Sequence, residues 1–214
     1  VNADRPTFCD PFLESLPVSR AAISTLADPF EVETVCASDQ LAAHLDELQI
    51  DLGEGPCWQA LSTRAPVLLA NLQHTHHPAW PSLHSAIAES GLLSVYAFPL
   101  IVGRLGIGAV DLYLDAPEPF TPADVSHASA LADVAAMLVL NQAMERRPVH
   151  EGDPVRENPY SRREVHLATG MVIAQLKVSA EDALLLLRAR AFADGLSVRE
   201  IAARVISKEI HFGP

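Results

Sequence analysis

The sequence predicts an α+β domain followed by a small all-helical module. Three observations carry that expectation. Two dense β-forming segments, Ser94–Val102 and Leu105–Leu114, flank Gly103-Arg104, and β-formers on both sides of a glycine-led turn make an antiparallel hairpin. Thr121-Pro122 then precedes an apolar stripe of Val125, Ala128, Leu131, Ala132, Ala135, Leu138 and Val139, the pattern of a capped helix with one face on a core. Finally, Ser161, Ser179 and Ser197 stand eighteen residues apart, each followed three positions later by an acid: Glu164, Asp182 and Glu200. A serine with a carboxylate three residues on starts a helix, because the hydroxyl and the acid each satisfy a free N–H of the first turn. The cadence predicts three short helices.

The remaining elements follow in chain order. Val18–Leu26 and Val32–Ala37 are β-prone runs separated by Asp28-Pro29, which predicts two strands joined by a turn. Ser38-Asp39 caps a helix carrying Leu41, Ala42, Leu45 and Leu48 at helical spacing. Asp51–Cys57 is a turn-rich loop, Trp58–Thr63 a short helix and Pro66–Asn71 another strand. Strands near both ends with helices between them fit an antiparallel sheet with helices on its faces. Glu145–Pro159 has three prolines, a glycine and many charges, so it reads as a linker. The expected domains are 1–145, a linker at 146–159 and 160–214.

Charge divides at the same place. Residues 1–155 hold 6 basic and 20 acidic side chains, whereas 156–214 hold 9 basic and 7 acidic. An acidic body repels a polyanion, while a slightly basic tail leaves nucleic acid open as its partner. No uninterrupted apolar run is long enough for a membrane span and no secretory leader is visible, so a cytoplasmic protein is expected. Cys9, Cys36 and Cys57 are odd in number and contain no CxxC, which predicts reduced thiols.

Within the tail, helix one (about 162–176) places Val165, Ala168, Val172 and Leu176 on one face. Helix two (about 180–193) buries Leu184, Leu187 and Ala191 and stops at Gly195. Helix three (about 198–208) buries Ile201, Ala202 and Val205. Gly170 costs its helix about 1 kcal/mol relative to alanine. Two explanations stand open: another helix crosses there, or a ligand does. Arginine suits loop RNA, having a fork of donors for phosphate and a planar face for bases.

The segment DLGEGPCWQAL, then VLLANL, SVYAFPLIVGRLGIGAVDLYL and PFTPADVSHASALADVAA, resembles the GAF domains of actinobacterial regulators over most of residues 8–142. The tail, Glu164–Ile206, resembles the ANTAR domain, a three-helix RNA-binding antitermination module. That likeness lies in Ala168 and Gly170, then Met171, Leu176, Ala183, Leu187-Arg188, Ala191, Val198 and Ala202. The resemblance implies a non-enzymatic transcription antitermination regulator whose partner is hairpin-loop RNA. Arg188 matches a frequently basic family position and leads the candidate contacts, with Arg163, Arg199, Arg204 and Lys177 after it and Ala168, Thr169 and Gly170 at the A-x-G. The family commonly has lysine where this chain has Thr169, which removes one expected contact.

Rival readings rest on particular residues. LSVREIAARV looks like the entry helix of a DNA-binding helix-turn-helix, but only Ile206–Pro214 follows, leaving no room for a recognition helix. Cys57, in a Gly-Pro loop at a helix start, would be a redox thiol if the helix dipole lowered its pKa. His74, His76, His77 and His84 could bind zinc but sit in a proline-marked loop with nothing to fix geometry. No metal or catalytic site is assigned, and no cofactor is identifiable. GAF relatives hold small ligands, so a small-molecule ligand in the sensor is expected, although the N-K-x-F…D-E pattern of cyclic-nucleotide binders is missing. The amphipathic helix at 122–144 offers a homodimer face.

Overall fold

The computed structural model describes residues 8–72, 80, 81, 83, 87, 90–145 and 160–213. It falls into two compact units divided between Tyr160 and Ser161.

The first unit contains α1 (Asp10–Ser15), β1 (Arg20–Thr25), β2 (Glu33–Ala37), α2 (Gln40–Leu52), α3 (Pro56–Thr63), β3 (Val67–Leu69), β4 (Ser94–Val102), β5 (Leu105–Leu114) and α4 (Pro122–Glu145). Its five strands form one antiparallel sheet in the order β2-β1-β5-β4-β3. The β4–β5 hairpin turns at Gly103-Arg104, with Val102 paired to Leu105 and Gly103 at a positive φ of 60°. Gly108 is needed for the β1–β5 pairing: a Cβ there would lie 1.8 Å from the Ser24 carbonyl oxygen.

The sheet is covered on both faces, which is why its strands read as continuous apolar runs. Tyr96, Phe98, Leu100, Val110, Leu112 and Leu114 join α1 and the Ala128, Ala132, Ala135, Ala136 and Val139 face of α4 in one core. Val95, Ala97 and Tyr113 point the other way, among Ala42, Leu45 and Ala60 of α2 and α3. By length and composition α4 could cross a membrane; its inner face instead packs on the sheet.

Two local expectations change. Cys9 and Cys36 form a disulfide, so only Cys57 is a free thiol; the spacing of three cysteines could not reveal which two the fold brings together. The helix expected at Trp58 begins at Pro56, which occupies its first turn, where a missing N–H costs nothing.

The second unit comprises α5 (Arg163–Leu176), α6 (Ala180–Asp194) and α7 (Val198–Ile206). Val165, Ala168 and Val172 of α5, Ala183, Leu187 and Ala191 of α6, and Val198, Ile201, Ala202 and Val205 of α7 make its core. Ala183 takes the central place expected of Leu184, which is half-buried beside it.

The three serines are not equivalent. Ser197 forms a full capping box: Glu200 N–H donates to Ser197 Oγ at 3.1 Å, and Ser197 N–H donates to Glu200 Oε2 at 2.8 Å. Ser179 caps α6 by accepting from Asp182 N–H at 3.1 Å, while its own hydroxyl donates to the Asp182 carboxylate; the shorter acid does not complete the box. Ser161 is no cap. Arg162 occupies that position in α5 without a side-chain capping bond. The first term of the cadence marks the helix start without building it.

Candidate nucleic-acid interface

The outward face of α5 is the most distinctive surface of the second unit. Arg163, Leu167, Gly170, Ala174 and Lys177 are all exposed, and their alternating spacings of four and three place them along one side of a helix. A basic residue stands at each end, with small or apolar side chains between. Lys177 is the left-handed C-cap, φ 56°, and its N–H donates to the Ile173 carbonyl at 2.7 Å. The helix dipole favours a cation there.

Gly170 resolves one open question. A Cβ built on it meets nothing within 4 Å. Among the described residues nothing crosses the helix at this point, so packing within this unit does not account for the glycine. A glycine inside an exposed helical turn loses about 1 kcal/mol against alanine, and the fold recovers nothing for it. Ala168 behaves oppositely: it is fully buried in the core, and its small size lets the helices approach. Thr169 is half-buried, its hydroxyl donating to the Val165 carbonyl at 2.7 Å, so its hydrogen is already engaged within the helix.

The remaining arginines do not form one patch. Arg188 is half-buried at the flank of α6 and Arg199 is half-buried on α7, each with its Nε shut off from solvent. Arg204 is exposed, but five residues beyond Arg199 it lies about 140° around the helix, so the two face different directions. Two further basic residues of the tail are less available: Arg162 is buried and Arg190 pairs with Asp194 at 2.7 Å. Thus Arg163, Gly170 and Lys177 share one line, Arg188 belongs to a second helix face, and Arg199 and Arg204 are divided. Leu167 and Ala174 complete the line and were not singled out from the sequence, although the sevenfold spacing of 163, 170 and 177 pointed to them.

The segment after α7 bears on the DNA rival. Ile210 is buried in the three-helix core, and Phe212 N–H donates to Gln175 Oε1 at 2.9 Å. The residues that would turn into a recognition helix instead fold back against α5.

In the first unit, a buried polar cluster lies on the α2–α3 side of the sheet. Gln49 Nε2 donates to Asp111 Oδ2 at 2.5 Å, and Gln49 Oε1 accepts from Cys57 N–H at 3.2 Å. Asp111 Oδ1 is buried without a hydrogen-bond partner. Desolvation, reinforced by the neighbouring Asp46 charge, holds the Asp111 carboxyl well above the usual carboxylate range. Desolvation and the same two acids also push the Cys57 thiol up. This counts against the rival reading of a dipole-activated thiolate: burial dominates the helix terminus. A cleft of about 230 Å³ opens beside the end of α4, lined by Thr25, Phe30, Glu31, Glu33, Val139 and Gln142 among others. The histidines at 74, 76, 77 and 84 lie outside the described residues, as does the linker at 146–159.

Comparison with known proteins places both units. Residues 7–140 match the GAF domain family and residues 155–206 the ANTAR domain family. Among solved structures, a GAF domain/HD domain protein from Geobacter sulfurreducens is similar at TM-score 0.50 and 16% identity, over 65% of this chain and 92% of that one. The GAF domain of a phosphoenolpyruvate-protein phosphotransferase from Coxiella burnetii is similar at TM-score 0.51 and 15% identity, over 66% and 87%. At such identities the likeness is one of fold. No curated protein matches. GAF domains are sensor modules and ANTAR domains RNA-binding regulatory modules, which gives the general kind of function. The chain belongs to the GAF domain family, and it carries an ANTAR domain behind its GAF fold.

Proposed function

We propose that this chain is a cytoplasmic transcription antitermination regulator, in which a GAF sensor at 1–145 controls, through a linker at 146–159, an ANTAR domain at 160–214 that binds hairpin-loop RNA. The observation that carries this reading is the outward face of α5. Its central glycine has open space around it, costs the fold stability and stands between Arg163 and Lys177. A backbone that a phosphate or an unstacked base approaches closely accounts for all three features. Arg188 supplies a further guanidinium from α6, with Arg199 and Arg204 as flanking contacts. No bond is made or broken. Holding paired loops disfavours the terminator, and transcription continues.

The exposed side of α4 supports a homodimer. His127, Ala130, Val134, Met137, Asn141 and Met144 are exposed and alternate by three and four, the a/d spacing of a coiled coil. Asn141 takes an a position, where a single polar residue fixes register in a parallel pair. Two copies joined there would offer two RNA-binding domains to one transcript. A small molecule held by the GAF domain would bias that presentation.

The direct test is an electrophoretic shift of the full-length protein with two-hairpin RNA, single-hairpin RNA and duplex DNA. Two-hairpin RNA should bind most tightly, with affinity falling as salt rises. Preference for duplex DNA, or no RNA binding at low salt, contradicts the reading.

A further inference from the structure

One turn before and one turn after Gly170, its neighbours on the surface of α5 are His166, Leu167, Ile173 and Ala174. His166, Leu167 and Ala174 are exposed, Leu167 to 55%, and Ile173 is half-buried against the core. Among the described residues the space above the glycine is open. The ring around it is therefore apolar apart from one imidazole, and the backbone beneath it has no donor to give. Gly170 lies in the middle of α5 (Arg163–Leu176), so its N–H and carbonyl both belong to the helix ladder, which leaves free N–H groups only in the first turn and free carbonyls only in the last. The Thr169 hydroxyl is spent on the Val165 carbonyl. A phosphate set over Gly170 would lose its water and gain no donor there except His166.

Resting on the RNA-binding reading above, we infer that this ring seats the base, not the phosphate, of one unpaired loop nucleotide. The base lies flat over the bare backbone of Gly170 against Leu167 and Ala174, and His166 bonds to its edge. An unstacked base has a flat face that needs no hydrogen bond and a polar rim that does, and the ring answers both. The phosphates belong to the ends of the line. Arg163 and Lys177 are exposed, seven residues to either side of Gly170, or about 10 Å along the axis. Between them that line carries only Leu167, Gly170 and Ala174; Glu164, the acid of α5, is about 100° around the helix from Arg163. The same charges disfavour a second copy. Laid along this face in parallel it would set Arg163 against Arg163, and antiparallel it would set Arg163 against Lys177, whereas a polyanion is drawn to both ends. A duplex stem keeps its base faces stacked inside and cannot fill the ring.

The test uses the full-length protein and a two-hairpin RNA selected on it from a loop-randomised pool. Each loop nucleotide is changed in two ways: to an abasic residue, which keeps the phosphate, and to a methylphosphonate linkage, which keeps the base. Every RNA is titrated against wild type, Gly170→Gln and Leu167→Ala. One abasic position should weaken wild-type binding about 5- to 100-fold, the effect of losing one stacked base. The same change should weaken Gly170→Gln by no more than about 2-fold, because that variant has already lost the contact. Leu167→Ala should bind the intact RNA about 3- to 10-fold more weakly, with the salt dependence unchanged because no phosphate contact is lost. Methylphosphonates should weaken wild type and Gly170→Gln alike. If a methylphosphonate, rather than an abasic position, is the change that Gly170→Gln no longer feels, the ring holds a phosphate; RNA binding stands and this inference is overturned. If both variants bind like wild type while Arg188→Ala binds weakly, RNA is held elsewhere and it is again overturned. A lower sedimentation mass for Leu167→Ala, with its RNA affinity intact, overturns it in favour of a protein contact. Selection of no RNA by the wild-type chain overturns both.

Discussion

Individual residues show how burial and exposure reverse expectations drawn from residue type. Cys57 sits at a helix start, yet desolvation and the Asp46 and Asp111 charges keep its thiol protonated. Asp111 is the sharper case, because its folded-state carboxyl titrates above its unfolded value. A raised acid contributes stability that is fully present below the unfolded pKa and is lost as pH rises through the folded one. Urea unfolding should therefore show wild-type stability declining from acid toward neutral pH on this account. Asp111→Asn, which keeps the amide partner Gln49 within reach, should be more stable than wild type at pH 7 and lose that part of the slope. An Asn variant less stable than wild type at pH 7 would mean that the carboxylate is ionised and paired. Gly170 carries the opposite lesson: what identifies it is the emptiness around it, a property that no residue letter conveys. The sequence left helix crossing and ligand approach open, with crossing favoured, and the open space around the glycine counts against crossing within this unit.

At the scale of elements, the hairpin at Gly103-Arg104, the Asp39-capped α2 and the Thr121-capped α4 were legible, because turn and cap chemistry is local. Thr121 and Asp124 exchange hydrogen bonds as a reciprocal cap, and the Thr121 hydroxyl and N–H, both donating to Asp124 Oδ2, hold that carboxyl below its ordinary range. The serine cadence was legible as helix starts but not as equal caps. Whether an acid reaches back depends on backbone angles that the sequence spacing does not carry. Ser197→Ala, which breaks a full box, should cost about 1 kcal/mol of ANTAR-domain stability, whereas Ser161→Ala should cost close to nothing; thermal unfolding of both variants checks this. Equal losses would restore Ser161 as a cap. The Cys9–Cys36 pairing was illegible for a different reason: α1 and β2 come together only through the tertiary fold.

For the whole molecule, charge asymmetry and the proline-rich stretch mark two domains in the sequence itself, and the family matches agree on a GAF fold followed by an ANTAR domain. The candidate site was legible in part. The spacing of Arg163, Gly170 and Lys177 was present in the sequence, but their shared exposure required knowing which side of α5 the core takes. Arg199 and Arg204 look alike in sequence and diverge once placed around α7. The dimer adds a prediction that belongs to this scale. Met137→Glu, placing a charge in the exposed α4 seam, should convert a dimer to a monomer by sedimentation equilibrium. It should weaken two-hairpin binding by about 100-fold, the scale of an avidity effect, and leave single-hairpin binding unchanged. A wild-type monomer that binds two-hairpin RNA as tightly as the variant would remove α4 from the mechanism. The central claim, that the outward face of α5 receives RNA, is tested most directly by Gly170→Gln, measured for thermal stability and for two-hairpin RNA affinity together. Glutamine is a good helix former with open space to enter, so stability should rise by about 0.5–1 kcal/mol, while RNA affinity should fall at least 10-fold as the approach is blocked. A variant that is more stable and binds RNA as tightly as wild type would contradict the account.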